Sequence, residues 1–129
     1  MADVLLALTD LLFLTRLRAA AQSLGLTVER ATTPDEVLER ARREAPAAVI
    51  LDLQAERLDP MRVIAEIKAD ATLRHIRTIG YVAHVRDDLK EHAHRAGCDL
   101  VLPRSAFVAR LSELLAQIAA DRTRARSAE

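Results

Sequence analysis

Short apolar runs alternate with amphipathic segments along almost the whole chain. Val4 to Leu8 contains no polar residue, and Ala47 to Leu53 is apolar except for Asp52 near its carboxyl end. Apolar runs of this length are typical of strands that are buried on both faces of a sheet. Three further strands are predicted at residues 26–31, where Thr27 and Val28 are β-formers, and at residues 78–82 and 100–102.

Each predicted strand is followed by a segment whose apolar residues have helical spacing. The first helix is predicted over Leu11 to Leu24. The second begins at Thr33, which can cap a helix that has Pro34 in its first turn, and Glu36 completes a capping box. The remaining helices are predicted to begin at Asp59, near Asp88, and at a capping Ser105.

This alternation predicts an α/β fold with a parallel sheet that is covered by helices on both faces. In such a sheet the functional crevice lies at the carboxyl ends of the strands, and Asp10, Asp52 and His84 all fall at or just after such ends. We predict one domain over residues 1–121, followed by a frayed tail over residues 122–129.

Composition limits the classes of function. Lys plus Arg and Asp plus Glu each number 19, and the chain has three aromatic residues, which argues against nucleic-acid binding. No apolar run reaches the roughly 18 residues needed to span a bilayer, and the start lacks a signal-peptide pattern. Cys98 is the single cysteine, as suits a reducing compartment. We therefore expect a cytoplasmic protein with no membrane partner.

Several short motifs occur in order and at suitable spacing. They are Leu24-Gly25 after the first helix, Val49-Ile50-Leu51-Asp52-Leu53, Leu58-Asp59-Pro60 and Ala96-Gly97-Cys98-Asp99. With the five strand–helix repeats, they make the chain from about Val4 to Ile118 resemble the receiver domain of bacterial two-component response regulators. The resemblance implies a flavodoxin-like (βα)5 three-layer sandwich whose five-stranded parallel sheet has the order 2-1-3-4-5.

The resemblance also implies a function. Asp52 matches the aspartate that accepts a phosphoryl group from a phosphohistidine donor. The family is a signalling family rather than an enzyme class, and its partners are a histidine kinase or a downstream effector. Its members hold Mg²⁺ with two acidic residues after the first strand, and they place a hydroxyl and a lysine at the ends of the fourth and fifth strands.

The acidic pair is incomplete in this chain. Counting back from the Leu24-Gly25 motif places the pair on Leu8 and Thr9; a shift of one residue places it on Thr9 and Asp10. Asp10 is then either a metal ligand together with Asp52, or the N-cap of the first helix. Because at most two carboxylates remain, Mg²⁺ is expected to bind weakly or not at all.

The two switch positions also depart from the family pattern. The hydroxyl position falls on Val82 and the lysine position on Pro103, with the cation of Arg104 one residue later. A valine side chain cannot donate a hydrogen bond to a phosphoryl group. These departures indicate a degenerate receiver, or pseudo-receiver.

Three hypotheses follow. The first is a stand-alone degenerate receiver that acts through protein contacts, including a possible homodimer through the face formed by the fourth helix, fifth strand and fifth helix. The second is a working receiver phosphorylated on Asp52 with Mg²⁺, using Asp10, Glu56 and Arg104. The third is a flavodoxin-like enzyme or nucleotide binder, which the absence of GxGxxG and GxxxxGK[ST] motifs disfavours.

Overall fold

The structure is a computed structural model that describes residues 1–83 and 86–127, with side chains up to residue 125. His84, noted above for its place after the fourth strand, lies outside the described residues. The strands are β1 (Val4–Ala7), β2 (Val28–Ala31), β3 (Ala48–Asp52), β4 (Arg77–Val82) and β5 (Leu100–Pro103). The helices are α1 (Leu11–Gln22), α2 (Pro34–Glu44), α3 (Pro60–Ala69), α4 (Asp87–Ala96), α5 (Arg104–Ala109) and α6 (Leu111–Ser127). A single 3-10 turn covers Glu56–Leu58.

All five strands are parallel and form one sheet in the order β2-β1-β3-β4-β5. The predicted flavodoxin-like fold is therefore confirmed. In the sheet Ala7 pairs with Leu51, and Asp52 pairs with Tyr81. The carboxyl ends of β1, β3 and β4 consequently meet at one edge, with Asp52 in the middle strand.

The two faces of the sheet build two separate cores, because successive strand residues point to opposite sides. One core joins strand residues to α2, α3 and α4, and it includes Leu5, Leu51, Val63, Ile67 and Val82. The other joins the sheet to α1, α5 and α6, and it includes Leu6, Leu17, Ile50, Tyr81 and Leu115. Fully burying one such large apolar side chain stabilises the fold by about 1.5–3 kcal/mol.

The start of α2 follows the predicted capping pattern with one difference. The Thr33 hydroxyl accepts a hydrogen bond from the Glu36 amide at 3.1 Å. The Glu36 carboxylate accepts from the Thr32 amide at 3.2 Å, one residue before the cap itself. The Thr33 side chain thus satisfies an amide that the first turn leaves free, and the Glu36 side chain holds the residue before the cap.

The last helix differs from the prediction. The chain forms two helices that meet at Arg110, and Ser105 lies in the first turn of α5 rather than capping it. The cap position is Pro103, which makes no side-chain cap hydrogen bond, so the predicted Ser105 cap is wrong. α5 begins directly after the last residue of β5. Ser105 therefore already lies inside the helix and cannot cap it.

The chain beyond residue 121 begins as part of a packed helix. α6 extends to Ser127, and Arg122 donates to Asp3 at 3.0 Å and to the Gly25 carbonyl at 3.1 Å. The division of the chain at residue 121 and the frayed tail stay predictions. Within the described residues, the structure contains no helix with the length and apolar character to cross a bilayer.

Glu44 ties the amino terminus to the end of α2. Its carboxylate accepts from the Ala2 amide at 2.8 Å and from the Arg40 guanidinium at 2.6 Å, and its side chain is only 6% exposed. The hydrogen bond from Arg40, followed by the one from Ala2, lowers the pKa of Glu44 from 4.5 to about 2. The ionised carboxylate is therefore the form that the folded state prefers.

Glu44→Gln should lower the free energy of unfolding at neutral pH by about 1.5–3 kcal/mol, because the hydrogen bonds to a charged group are weakened. A depressed folded-state pKa stabilises the protein above the unfolded pKa, and this contribution is lost as the pH falls from 4.5 to about 2. Urea denaturation should show that the difference in free energy of unfolding between the wild type and Glu44→Gln becomes smaller as the pH falls across that range.

Glu39→Gln is the matched control, since Glu39 pairs with Arg43 on the same helix but is 69% exposed. It should change stability by at most a few tenths of a kcal/mol. A Glu44→Gln effect that is equally small, or that does not vary with pH, would contradict this account of Glu44.

Candidate functional site

Asp52 is the last residue of β3 and lies half-buried at the carboxyl edge of the sheet. Its Oδ1 accepts a hydrogen bond from the Gln54 amide at 3.0 Å, which holds the chain in a tight turn after the strand. Burial is the main influence on Asp52 and raises the pKa of its carboxyl group. The Gln54 hydrogen bond and the charge of Arg104 lower that pKa, whereas the charge of Asp10 raises it.

Asp10 caps α1. Its Oδ1 accepts from the amides of Leu12 and Phe13 at 3.0 and 3.1 Å. Its Oδ2 accepts from the guanidinium of Arg104 at 3.0 Å. The Phe13 hydrogen bond, followed by the one from Arg104, lowers the pKa of Asp10. The N-cap alternative is thereby confirmed, and the metal-ligand role stays a prediction.

Arg104 brings a cation to the strand ends. It is the first residue of α5, and its guanidinium pairs with Asp10 while lying 4.3 Å from the centroid of the Phe13 ring. Pro103, the position matched to the family lysine, instead pairs with Val82 in the sheet. The positive charge of the site thus comes from position 104, one residue after the matched position, and it lies within electrostatic reach of Asp52.

In the first of the two registers the acidic pair falls on Leu8 and Thr9, which carry no carboxylate, and in the second it retains only Asp10. Leu8 is fully buried in the core, and Thr9 is exposed. Both oxygens of Asp10 already accept hydrogen bonds, and the described residues contain no cluster of three or more His, Cys, Asp or Glu side chains that could hold a metal ion. Mg²⁺ prefers several unencumbered oxygen ligands in octahedral geometry. The donor set fits Mg²⁺ poorly.

The remaining predicted site residues lie outside this group. Val82 is 3% exposed and packs in the core on the α3 side of the sheet, so its side chain adds no polar group to the edge. Glu56 is exposed in the 3-10 turn and lines a surface cavity with Gln54 and Arg86. Glu56 is not among the groups that shift the pKa of Asp52.

Two residues at the edge were not predicted. Gln54 accepts a hydrogen bond from the Ala83 amide through its side-chain oxygen and so links the segments after β3 and β4. Tyr81 lies beside Asp52 in the sheet and packs between Phe13 and Phe107. A polar aromatic residue near the end of a predicted strand was the available signal for Tyr81, whereas nothing in the sequence singled out Gln54.

Comparisons with known proteins agree with this architecture. No family model matches the chain. The curated relatives include the polar-differentiation response regulator DivK of Brucella ovis, which is 25% identical over 104 residues that cover 81% of this chain and 85% of the relative. DivK of Brucella anthropi is 27% identical over 86 residues, covering 67% of this chain and 70% of the relative.

Solved structures share the fold at lower identity. The signal receiver domain of a DNA binding response regulator from Colwellia psychrerythraea 34H has a TM-score of 0.79 at 18% identity, covering 92% of this chain and 98% of that one. The phosphorylated cyanobacterial phytochrome response regulator RcpA has a TM-score of 0.74 at 21% identity, covering 91% and 90%. Fold and sequence similarity together support the prediction of a response regulator receiver domain, a signalling module of two-component systems.

Proposed function

We propose that the chain is a receiver-like signalling module that acts through protein–protein contacts in a two-component or phosphorelay pathway, with a degenerate phosphorylation site. One observation carries the proposal: both oxygens of Asp10 are held by the start of α1 and by Arg104. The carboxylate that would complete a metal site beside Asp52 is therefore already neutralised within the protein. No enzymatic role is proposed, and the comparisons lend none any support.

The charges at the edge explain why phosphoryl transfer would be slow. A phosphoryl donor approaching Asp52 meets the carboxylates of Asp52 and Asp10 and the positive charge of Arg104. Catalysis of phosphoryl transfer depends on metal ions and cations placed where charge develops, and losing such partners costs orders of magnitude in rate. The buried Val82 side chain adds no hydroxyl to receive the group. We propose accordingly that Mg²⁺ binds weakly or not at all.

The proposed partners are proteins of the kind that receiver domains contact, such as kinases and effectors. We propose the surface formed by α4, β5 and α5 as the contact face, including for a homodimer. An apolar cavity of about 50 Å³ opens there among Val82, Val101, Leu102 and Pro103. Arg86, Asp87 and Lys90 also line this cavity, and the excess of one positive charge would favour a partner that carries acidic groups.

A second candidate is a working receiver that accepts a phosphoryl group on Asp52 with Mg²⁺. The favourable observation is that Asp52 is only half-buried at the sheet edge, with the cation of Arg104 within electrostatic reach. Arg104 could then contact the new phosphoryl group, as a guanidinium does in other phosphate sites.

Phosphorylation is tested by incubating the protein with a small acyl-phosphate donor and Mg²⁺ and following the intact mass. We expect no gain of a phosphoryl group, either in the wild type or in the Asp52→Asn control. A gain that requires both Asp52 and Mg²⁺ would overturn the degenerate site and establish the second candidate. A gain that persists in Asp52→Asn would assign the modification to another residue and leave the proposal standing.

The role of Arg104 is tested separately through metal binding. Arg104→Ala removes the counter-ion of Asp10 and leaves two carboxylates near each other, an arrangement that attracts a divalent cation. Mg²⁺ should therefore raise the melting temperature of Arg104→Ala but not that of the wild type. Arg104→Lys keeps the charge and should behave as the wild type does. An equal Mg²⁺ effect in wild type and Arg104→Ala would contradict the proposal.

A further inference from the structure

Tyr81 carries a buried hydroxyl group with no hydrogen-bond partner in the part of the chain that the structure describes. The residue is 2% exposed, and its Oη makes no hydrogen bond to any group in the described ranges 1–83 and 86–127. Buried hydroxyl groups are hydrogen-bonded in the great majority of structures, to protein or to ordered water. The buried Tyr81 hydroxyl is therefore expected to donate a hydrogen bond to a nearby acceptor or to an ordered water.

Asp52 offers the matching acceptor. It is paired with Tyr81 in the parallel register of β3 and β4, and residues paired in this way point to the same face of the sheet. Ile50, two residues before Asp52, packs in the same core as Tyr81, which gives the same assignment of faces. Asp52 Oδ1 is used by the Gln54 amide, and Oδ2 accepts no hydrogen bond from the part of the chain that the structure describes.

The direction of the Tyr81 ring is fixed by its neighbours. The ring stacks on Phe107 of α5 at 5.3 Å between centroids and meets the edge of Phe13 of α1 at 5.1 Å. Charged groups around the phenol are Asp52, Arg104 and Asp10, and after burial itself the charge of Asp52 contributes most to raising the pKa of Tyr81. The hydroxyl group and the Asp52 carboxylate are thus close enough to influence each other.

We propose that Tyr81 is a positioning residue for Asp52, whose Oδ2 accepts a hydrogen bond from one buried water that in turn accepts one from the Tyr81 hydroxyl. The proposal rests on Asp52 as the centre of the site, and it holds whether or not Asp52 is phosphorylated. One water with partners on both sides can bridge such a donor and acceptor at little free-energy cost.

This contact gives the site a hydroxyl that Val82 does not supply. Val82 and Tyr81 are neighbours on β4 and point to opposite faces, Val82 into the α3 side and Tyr81 into the α1 side. A change in the charge or covalent state of Asp52 would change the partner of the Tyr81 hydroxyl. Through the ring contacts with Phe13 and Phe107, that change would reach α1 and α5.

The test uses tyrosine labelled with carbon-13 at Cζ, the carbon that bears the hydroxyl. Tyr81 is the only tyrosine in the chain, so the spectrum contains one labelled resonance. At one fixed pH, Asp52→Ala should shift this resonance strongly because the acceptor is removed. Asp52→Asn, which keeps an acceptor oxygen, should shift it less.

Asp10→Asn is the matched control, since it removes a nearby negative charge without removing the proposed acceptor. It should leave the Cζ resonance close to its wild-type position. A shift in Asp52→Ala that is no larger than the shift in Asp10→Asn would overturn the proposal, because it would show that Tyr81 senses only the local electric field.

The converse measurement follows Asp52 in Tyr81→Phe. Loss of the hydroxyl should shift the carboxyl carbon resonance of Asp52, while Phe107→Leu, which loosens the same cluster without removing a donor, should not. Equal shifts in the two variants would show that Tyr81 affects Asp52 only through packing, and they would overturn the proposal. If Tyr81→Phe does not fold, the labelled-tyrosine comparison decides the matter, and neither result depends on the phosphorylation assay.

Discussion

The ion pair between Arg104 and Asp10 joins the two charged side chains that act on Asp52 at the edge of the sheet. It connects the start of α5 to the start of α1 across the carboxyl edge of the sheet, next to Asp52. Because both side chains are about 40% exposed, the pair adds little to the stability of the fold. Its importance is positional: it places a fixed positive charge within electrostatic reach of Asp52.

Three residues at and around this ion pair also bear on the proposed degenerate site. Leu8 fills the core at a position matched to an acidic ligand, and Asp10 serves as a helix cap. Asp52 retains its place at the end of the central strand, although burial raises the pKa of its carboxyl group and Arg104 only partly offsets that effect. These features underlie the proposal that Asp52 stands in a degenerate phosphorylation site, with fewer of the charges that make phosphoryl transfer fast.

The sequence predicted the features that depend on local pattern. The buried strands, the Thr33 cap and the Asp10 cap all follow from the order of apolar and polar residues within a few positions. The Ser105 cap failed because β5 passes directly into α5, and no local signal marks that junction. Arg104 reaches a partner 94 positions away, and side-chain reach over such a separation is a property of the folded chain. Tyr81 was missed because its proximity to Asp52 depends on the pairing of β3 with β4.

The most direct test of the central claim is a high-resolution crystal structure of the protein grown with a large excess of Mg²⁺. We expect the Arg104 guanidinium to remain hydrogen-bonded to Asp10 and Asp52 to coordinate no metal ion. An octahedral ion bound to Asp52 and Asp10, with Arg104 displaced from the edge of the sheet, would contradict this expectation.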